Sequence, residues 1–353
     1  MIGLNHPARR CAQVAVACVI TWAVPAAPAH AEPAAEFHEV ARWALGGDGG
    51  WDWLTVDAAA RRVYIARATR VMVINADSGA LVGEVPGLEG AHGVVVVAEL
   101  GQGFATSGKT GEVIAFDLAT LKVTGKVKVG ENPDALLYDR FTRKLFAFNG
   151  KGKNAVVVDP LKLSVVQTIA LGGKPEFAVT DDTGRVFVNV ADTSELIVLK
   201  TETGKPTALD ARYPLAPCQE PTGLAITPQP SKLLVGCGNR TAVVVDGKTG
   251  KVLQHFTAGA GVDAAGFDPE RGLGFVSAGE GVLTVLKEAK GTFSLVQGVA
   301  TANGARTLAF DAKTGRVFLP TAQFEQPKAA PAAAGPVKRT VVPGSFVVLV
   351  VGK

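Results

Sequence analysis

The chain has 353 residues, 47% of them hydrophobic, 19% charged, and a formal net charge of +4. A balance so close to neutral argues against a dedicated nucleic-acid binder, which needs a strongly basic surface. The length allows one domain or two.

Residues 1–31 come first. Arg9 and Arg10 precede an apolar run from Cys11 to Val24, and Ala29-His30-Ala31 follows as a small-x-small cleavage pattern. This reads as a secretory signal peptide, outside the fold. The apolar run is too short to span a bilayer, and no other long one exists, so the mature chain is expected to be soluble and periplasmic or secreted. Its charge falls to +2 once Arg9 and Arg10 leave. Cys11 and Cys18 leave as well. Cys218 and Cys237 remain in an oxidising compartment and read as one disulfide, the alternative being two buried free thiols.

From residue 32 onward the chain repeats. An aromatic residue or Leu follows a turn at Tyr64, Phe104, Phe146, Phe187, Leu234, Phe275 and Phe318, at spacings of 40, 42, 41, 47, 41 and 43. Each copy also repeats an order of sub-elements. From 132 to 173, "DALLYD", "KLFAFNG", "NAVVVD" and "VVQTIALGG" read as four short strands. Between third and fourth strands stand "NADSG", "DLATL" and "DGKTG", where an Asp or Asn bonds its own backbone and, in the first and third, a Gly supplies positive φ. Helical periodicity is absent and Val runs dominate. Seven copies of four strands predict an all-β, seven-bladed β-propeller over 32–353. The seventh copy has only three strands, ending with "SFVVLVV" at 345–351. "EVARWALGG", 39–47, matches the fourth strand of the middle copy and is expected to close the last blade, removing two open edges. Residues 323–343, rich in Pro and Ala, read as a surface loop, an inert insertion before a lid or tether.

The stretches "GGDGGWDWLTVD", "GAHGV", "NPDALLYD", "LGGKPEFAV", "LAPCQEPTGLAI", "GVDAAGFDP" and "GARTLAFD" touch every blade. On these stretches the chain resembles the YncE-like, YVTN-repeat β-propellers of bacterial exported proteins. The resemblance implies the fold. It implies no activity, because "FNG", "FVN" and "GCG" stand where the Y-V-T-N motif is expected.

In a propeller the first strand of each blade lines the central channel. Counting back from the anchors, these strands open at Asp52, His92, Asp134, Glu176, Thr222, Asp263 and Arg306. Two readings stand side by side. One is a solvated ring with Arg306 paired to a neighbouring acid. The other is a mouth whose surplus carboxylates attract a cation, or a cationic or hydroxylated ligand. His92, Asp134, Glu176 and Asp263 together suit a divalent metal ion. Asn149 and Asn189 end second strands on the same face and are expected to aim their amides at the mouth. Trp51 and Trp53 flank Asp52; one could stack on a flat ligand, a core role being the plainer reading. Cys218 and Cys237 fall on this face of blade five.

No nucleophile elbow, H-E-x-x-H or C-x-x-C-H is present. After the signal only His38, His92 and His255 remain, and of these His92 alone is placed at the mouth. The expected function is therefore a binding module, acting as a monomer on a small molecule or protein partner. A metal-assisted hydrolase or lactonase using the same mouth is the alternative, and nucleic-acid binding comes third.

Overall fold

The repeat anchors are what the fold is built around. Tyr64, Phe104, Phe146, Phe187, Phe275 and Phe318 are fully buried, and Leu234 is 1% exposed. Each sits on the second strand of a four-stranded antiparallel sheet, and seven such sheets form the ring of a β-propeller. The computed structural model describes residues 1–3, 36–228, 231–325 and 340–353. The expected signal segment, apart from residues 1–3, lies outside the described residues. Among these no helix is long and apolar enough to cross a membrane.

Blade one comprises Leu54–Asp57, Arg62–Arg67, Arg70–Asn75 and Leu81–Pro86; the innermost strands of blades two to six are Ala91–Val97, Pro133–Asp139, Pro175–Thr180, Pro221–Ile226 and Val262–Asp268. The core lies between blades. Phe104, Val113 and Ala115 of blade two, for instance, pack on Leu136, Tyr138 and Leu145 of blade three. Burying each such side chain favours folding by about 1.5–3 kcal/mol. The turns carry the expected chemistry: Asp117 Oδ1 accepts the Ala119 and Thr120 N–H groups, and Asp246 Oδ1 those of Lys248 and Thr249.

Blade seven closes as expected. Ala309–Asp311, Arg316–Thr321 and Val347–Gly352 are joined by His38–Ala44 as the outermost strand, with Ala44 opposite Val347 and His38 opposite Gly352. Just ahead of that strand, the Phe37 N–H donates to Gln297 Oε1 at 2.9 Å, and Gln297 Nε2 returns a bond to the Phe37 carbonyl at 2.8 Å. Every outermost strand, this one included, carries one extra residue in its pairing with the third strand: Val40, Val82, Thr124, Val166, Asp210, Leu253 and Val296. Such bulges twist an edge away from pairing with another sheet. Of the expected loop 323–343 the ends are described, joined by an antiparallel bridge between Phe324 and Val341; residues 326–339 lie outside the described residues.

The two cysteines form a disulfide, Cys218–Cys237, with a Cα–Cα distance of 5.4 Å. It ties the segment before blade five's innermost strand to the end of its second strand. The cysteines are 19 residues apart, and opening a loop of that size costs about 3 kcal/mol in the chain-entropy treatment. Reduction is therefore expected to lower the melting temperature. Equal melting curves with and without reductant would overturn this.

Candidate functional site

A propeller's innermost strands converge, and close approach needs small residues. A Cβ on Gly93 would lie 2.5 Å from the Asp134 carbonyl oxygen, and one on Gly223 2.5 Å from the Ala264 carbonyl carbon. The pairing of first to second strand is irregular at the same place in five blades, between Ala91 and Val94, Pro133 and Leu136, Pro175 and Ala178, Pro221 and Leu224, and Val262 and Ala264. Bulges re-aim side chains. Here Asp134 and Ala135, and likewise Glu176 and Phe177, line one cavity in succession.

Side chains of one blade then latch the next. Thr106 Oγ1 donates to the Asp134 carbonyl at 2.8 Å, Asn189 Nδ2 to the Thr222 carbonyl at 3.0 Å and Thr307 Oγ1 to the Asp52 carbonyl at 3.1 Å. Ser277 Oγ donates to the Arg306 carbonyl. Thr222 Oγ1 donates to the Val262 carbonyl at 3.0 Å, immediately before Asp263. The backbone of the ring is thus held blade to blade.

All seven strand-opening residues, Asp52, His92, Asp134, Glu176, Thr222, Asp263 and Arg306, line one cavity of about 290 Å³. Their charges are partly matched. Arg306 Nε donates to Asp263 Oδ2 at 2.8 Å, and Lys174 Nζ to Glu176 Oε1. His92 Nδ1 lies 2.6 Å from Asp52 Oδ2 and 3.7 Å from Asp134 Oδ1. Four carboxylates therefore face two fixed cations, and the surplus falls on Asp52 and Asp134 either side of His92. The hydrogen bond to Asp52 raises the His92 pKa against its burial. Burial, then the charge of Asp52, pushes Asp134 up to about 7. Burial also pushes Asp263 up to about 7, although Arg306 opposes it. Burial lowers Lys174, but its bond to Glu176 and the charges of Glu176, Asp134 and Asp263 together outweigh that, and the net shift is upward.

The metal set expected from the sequence is altered by this pairing. Asp52, His92 and Asp134 bring ligand atoms within 4.8 Å of one another. Glu176 and Asp263 are taken up by Lys174 and Arg306. Asp52 was expected only as a ligand-binding residue, and Lys174 was not expected at all. Lys174 stands two positions before Glu176, a spacing that puts both side chains on one face of extended chain.

Three further expectations are corrected. Asn149 and Asn189 are fully buried and do not face the mouth. Asn149 Nδ2 donates to the Val129 carbonyl and to Asn154 Oδ1, both at 2.7 Å, and Asn189 is the interblade latch already described. Both amides spend their N–H donors inside the protein, where leaving them unpaired is costly. Trp51 does not line the mouth. It packs on Phe346 and Phe324, with ring centroids 5.5 and 6.1 Å away, beside a second cavity.

Phe177, and its stacking with Trp53, are what the sequence reading missed. The two residues follow Asp52 and Glu176 in the chain and stack on each other at 3.9 Å with planes 19° apart. Gly93, Ala135, Gly223, Ala264 and Thr307 occupy the corresponding step of the other five blades. Two large rings among five small residues can meet across the axis, and that contrast was the available signal. The pair floors the acidic cavity, and another cavity, of about 240 Å³ and lined by apolar residues such as Leu224 and Leu308, lies on its other side.

No protein-family profile and no curated protein matches the chain. Solved structures do. A crystal structure of RRP9 WD40 repeats is similar over 90% of this chain and 100% of that one, with a TM-score of 0.74 and 10% identity. A chain in a crystal structure of a mitotic checkpoint complex is similar over 86% of this chain and 95% of that one, with a TM-score of 0.69 and 14% identity. At such identities the likeness is one of fold, the β-propeller of WD40 repeats.

Proposed function

We propose that this chain is an exported, YncE-like β-propeller that acts as a binding module and takes a cation at its channel mouth. Propellers commonly serve as interaction modules, and the quoted stretches in every blade support the YncE-like assignment. The signal-like residues 1–31 support a periplasmic or secreted location. The observation that carries the cation is that Asp52 and Asp134 have no fixed cation between them and share only His92, which bonds Asp52. Asp134 is largely enclosed, and like charges held together in a low-dielectric recess are relieved by a positive ligand.

Protons and ligand compete for this site. Asp134, Asp263 and His92 all have raised pKa values in the folded state. The folded mouth therefore holds more protons than the unfolded chain. Its contribution to stability is complete below about pH 4, the ordinary range of a free carboxylate, and is lost as pH rises through about 7. A cation takes the protons' place. Thermal melts of chelator-treated protein are expected to show stability at the mouth falling from pH 5 to pH 8. Added divalent metal or an alkylammonium ion restores it at pH 8 and has little effect at pH 5. Asp134→Asn is expected to reduce the slope of the pH profile, leaving the part due to Asp263 and His92, and to abolish the cation effect. A wild type indifferent to every cation at pH 8 would sink the reading.

A second reading, metal-assisted hydrolysis of a lactone or ester, rests on the triad itself. Two carboxylates and one imidazole are three protein ligands, and catalytic sites of this kind keep a fourth position for water. Turnover of a lactone or ester panel that depends on added metal and is lost in His92→Ala would establish it; metal binding with no turnover would leave the binding module alone.

A further inference from the structure

Beside the mouth lies a larger cavity of about 650 Å³. Its lining includes four residues without side chains, Gly50, Gly261, Gly279 and Gly304, together with Trp51 and Phe324. The glycines are not interchangeable. A Cβ on Gly304 would strike the Phe324 ring at 2.5 Å, so that glycine lets the ring lie against the backbone. A Cβ on Gly50 would meet nothing within 4 Å. At Gly50 the missing side chain leaves open space.

The groove has little net charge of its own. Glu280 is held by Arg240 at 2.8 Å, and Arg306 by Asp263 at the same distance. Arg306 lines both this groove and the acidic mouth, and Trp51 is joined directly to Asp52. An aromatic and glycine surface therefore adjoins, at the Arg306–Asp263 pair, the mouth that carries the carboxylate surplus. Each end selects a different part of a ligand. The groove accepts a flat or apolar body against the indole, and the mouth accepts positive charge. Their joint size is that of a site for a small organic molecule.

We propose that groove and mouth form one site for an amphipathic organic cation, a primary amine carrying an aromatic or apolar body. This rests on the cation reading of the mouth and adds the groove to it. A bare metal ion or a short alkylamine would fill only half of such a site.

The test is a calorimetric comparison of phenylethylamine, ethylamine and benzyl alcohol on the full chain at pH 8. Phenylethylamine is expected to bind at least tenfold more tightly than either of the others. Gly50→Leu, which extends a side chain into the open space, is expected to reduce phenylethylamine to the level of ethylamine without changing ethylamine itself. Asp134→Asn is expected to weaken both amines. Equal affinities for the two amines in the wild type, with ethylamine still sensitive to Asp134→Asn, would overturn the groove and keep the mouth. Benzyl alcohol binding as well as phenylethylamine, with neither sensitive to Asp134→Asn, would overturn the mouth and with it the amphipathic cation. The wild-type ligand series decides the matter even if Gly50→Leu proves unstable.

Discussion

Deleting residues 36–44 is expected to abolish the soluble, folded monomer. That segment is the outermost strand of blade seven and the Phe37 anchor before it. Without it, Val347–Gly352 becomes an unpaired edge of consecutive aliphatic residues, the kind that pairs with another chain. The loss also reaches blade six. Phe37 is 4% exposed and packs edge-on against Phe275 at 5.6 Å, and its backbone bonds to Gln297 would go with it. Removing a core aromatic alone costs about 3–5 kcal/mol, a large part of the 5–15 kcal/mol that holds a typical domain together. Size-exclusion chromatography is expected to show aggregate in place of monomer. A monodisperse product with a cooperative melt would mean that the ring does not depend on this closure.

The second large effect is expected at Arg67. Its side chain is fully buried and, among the described residues, its hydrogen bonds go to carbonyls and to no carboxylate. Nε donates to the Gly50 carbonyl at 3.2 Å, Nη1 to Gly46 at 3.3 Å, and Nη2 to Gly47, Asp48 and Gly49 at 3.1–3.3 Å. The guanidinium also lies 3.7 Å over the centroid of Phe346. Burial, with Arg70 nearby, pushes its pKa down to about 10, so it remains charged at neutral pH. One cation thus folds the "GGDGG" segment that links the closing strand to blade one. Hydrogen bonds to a charged group contribute about 1.5–3 kcal/mol, and a desolvated cation–π contact up to about 2 kcal/mol. Arg67→Met fills most of the volume but leaves five carbonyls without this donor. It is expected to cost about 3–5 kcal/mol in urea denaturation. Arg67→Lys recovers the charge but not the fork of donors, and is expected to recover only a minor part. A wild-type midpoint for Arg67→Met would refute the clasp.

How much of this was legible depends on whether a feature repeats. Tyr64 and its six counterparts recur because every blade must fill the same wedge, so the fold could be read off one chain. The strand-opening ring was legible for the same reason, and all seven of its residues do line one cavity. Pairing inside that ring was not. Lys174 belongs to the loop before its strand, outside the repeated register, and it takes Glu176 away from the expected metal set. Arg67 ends a second strand where the other blades carry Ser107, Asn149, Val190, Cys237, Ala278 and Thr321. Nothing in its own segment announces five carbonyl partners. Asn149 ends its second strand and Asn189 stands one residue before the end of its own, but a polar residue near a strand end serves the backbone or the solvent equally well on paper. Only the packing of the adjacent blade decides.

The stacked Trp53 and Phe177 make the molecule a cup and not a pipe. Whatever occupies the acidic recess arrives and leaves by the same side, and cannot be threaded through. On the opposite side, Arg61 clasps Asp77 and buried Asp311. It also follows that a macromolecule resting on the rim of the cup would govern exchange of its contents without touching them. Occupancy and docking would then be coupled by simple obstruction, with no change of shape in the ring.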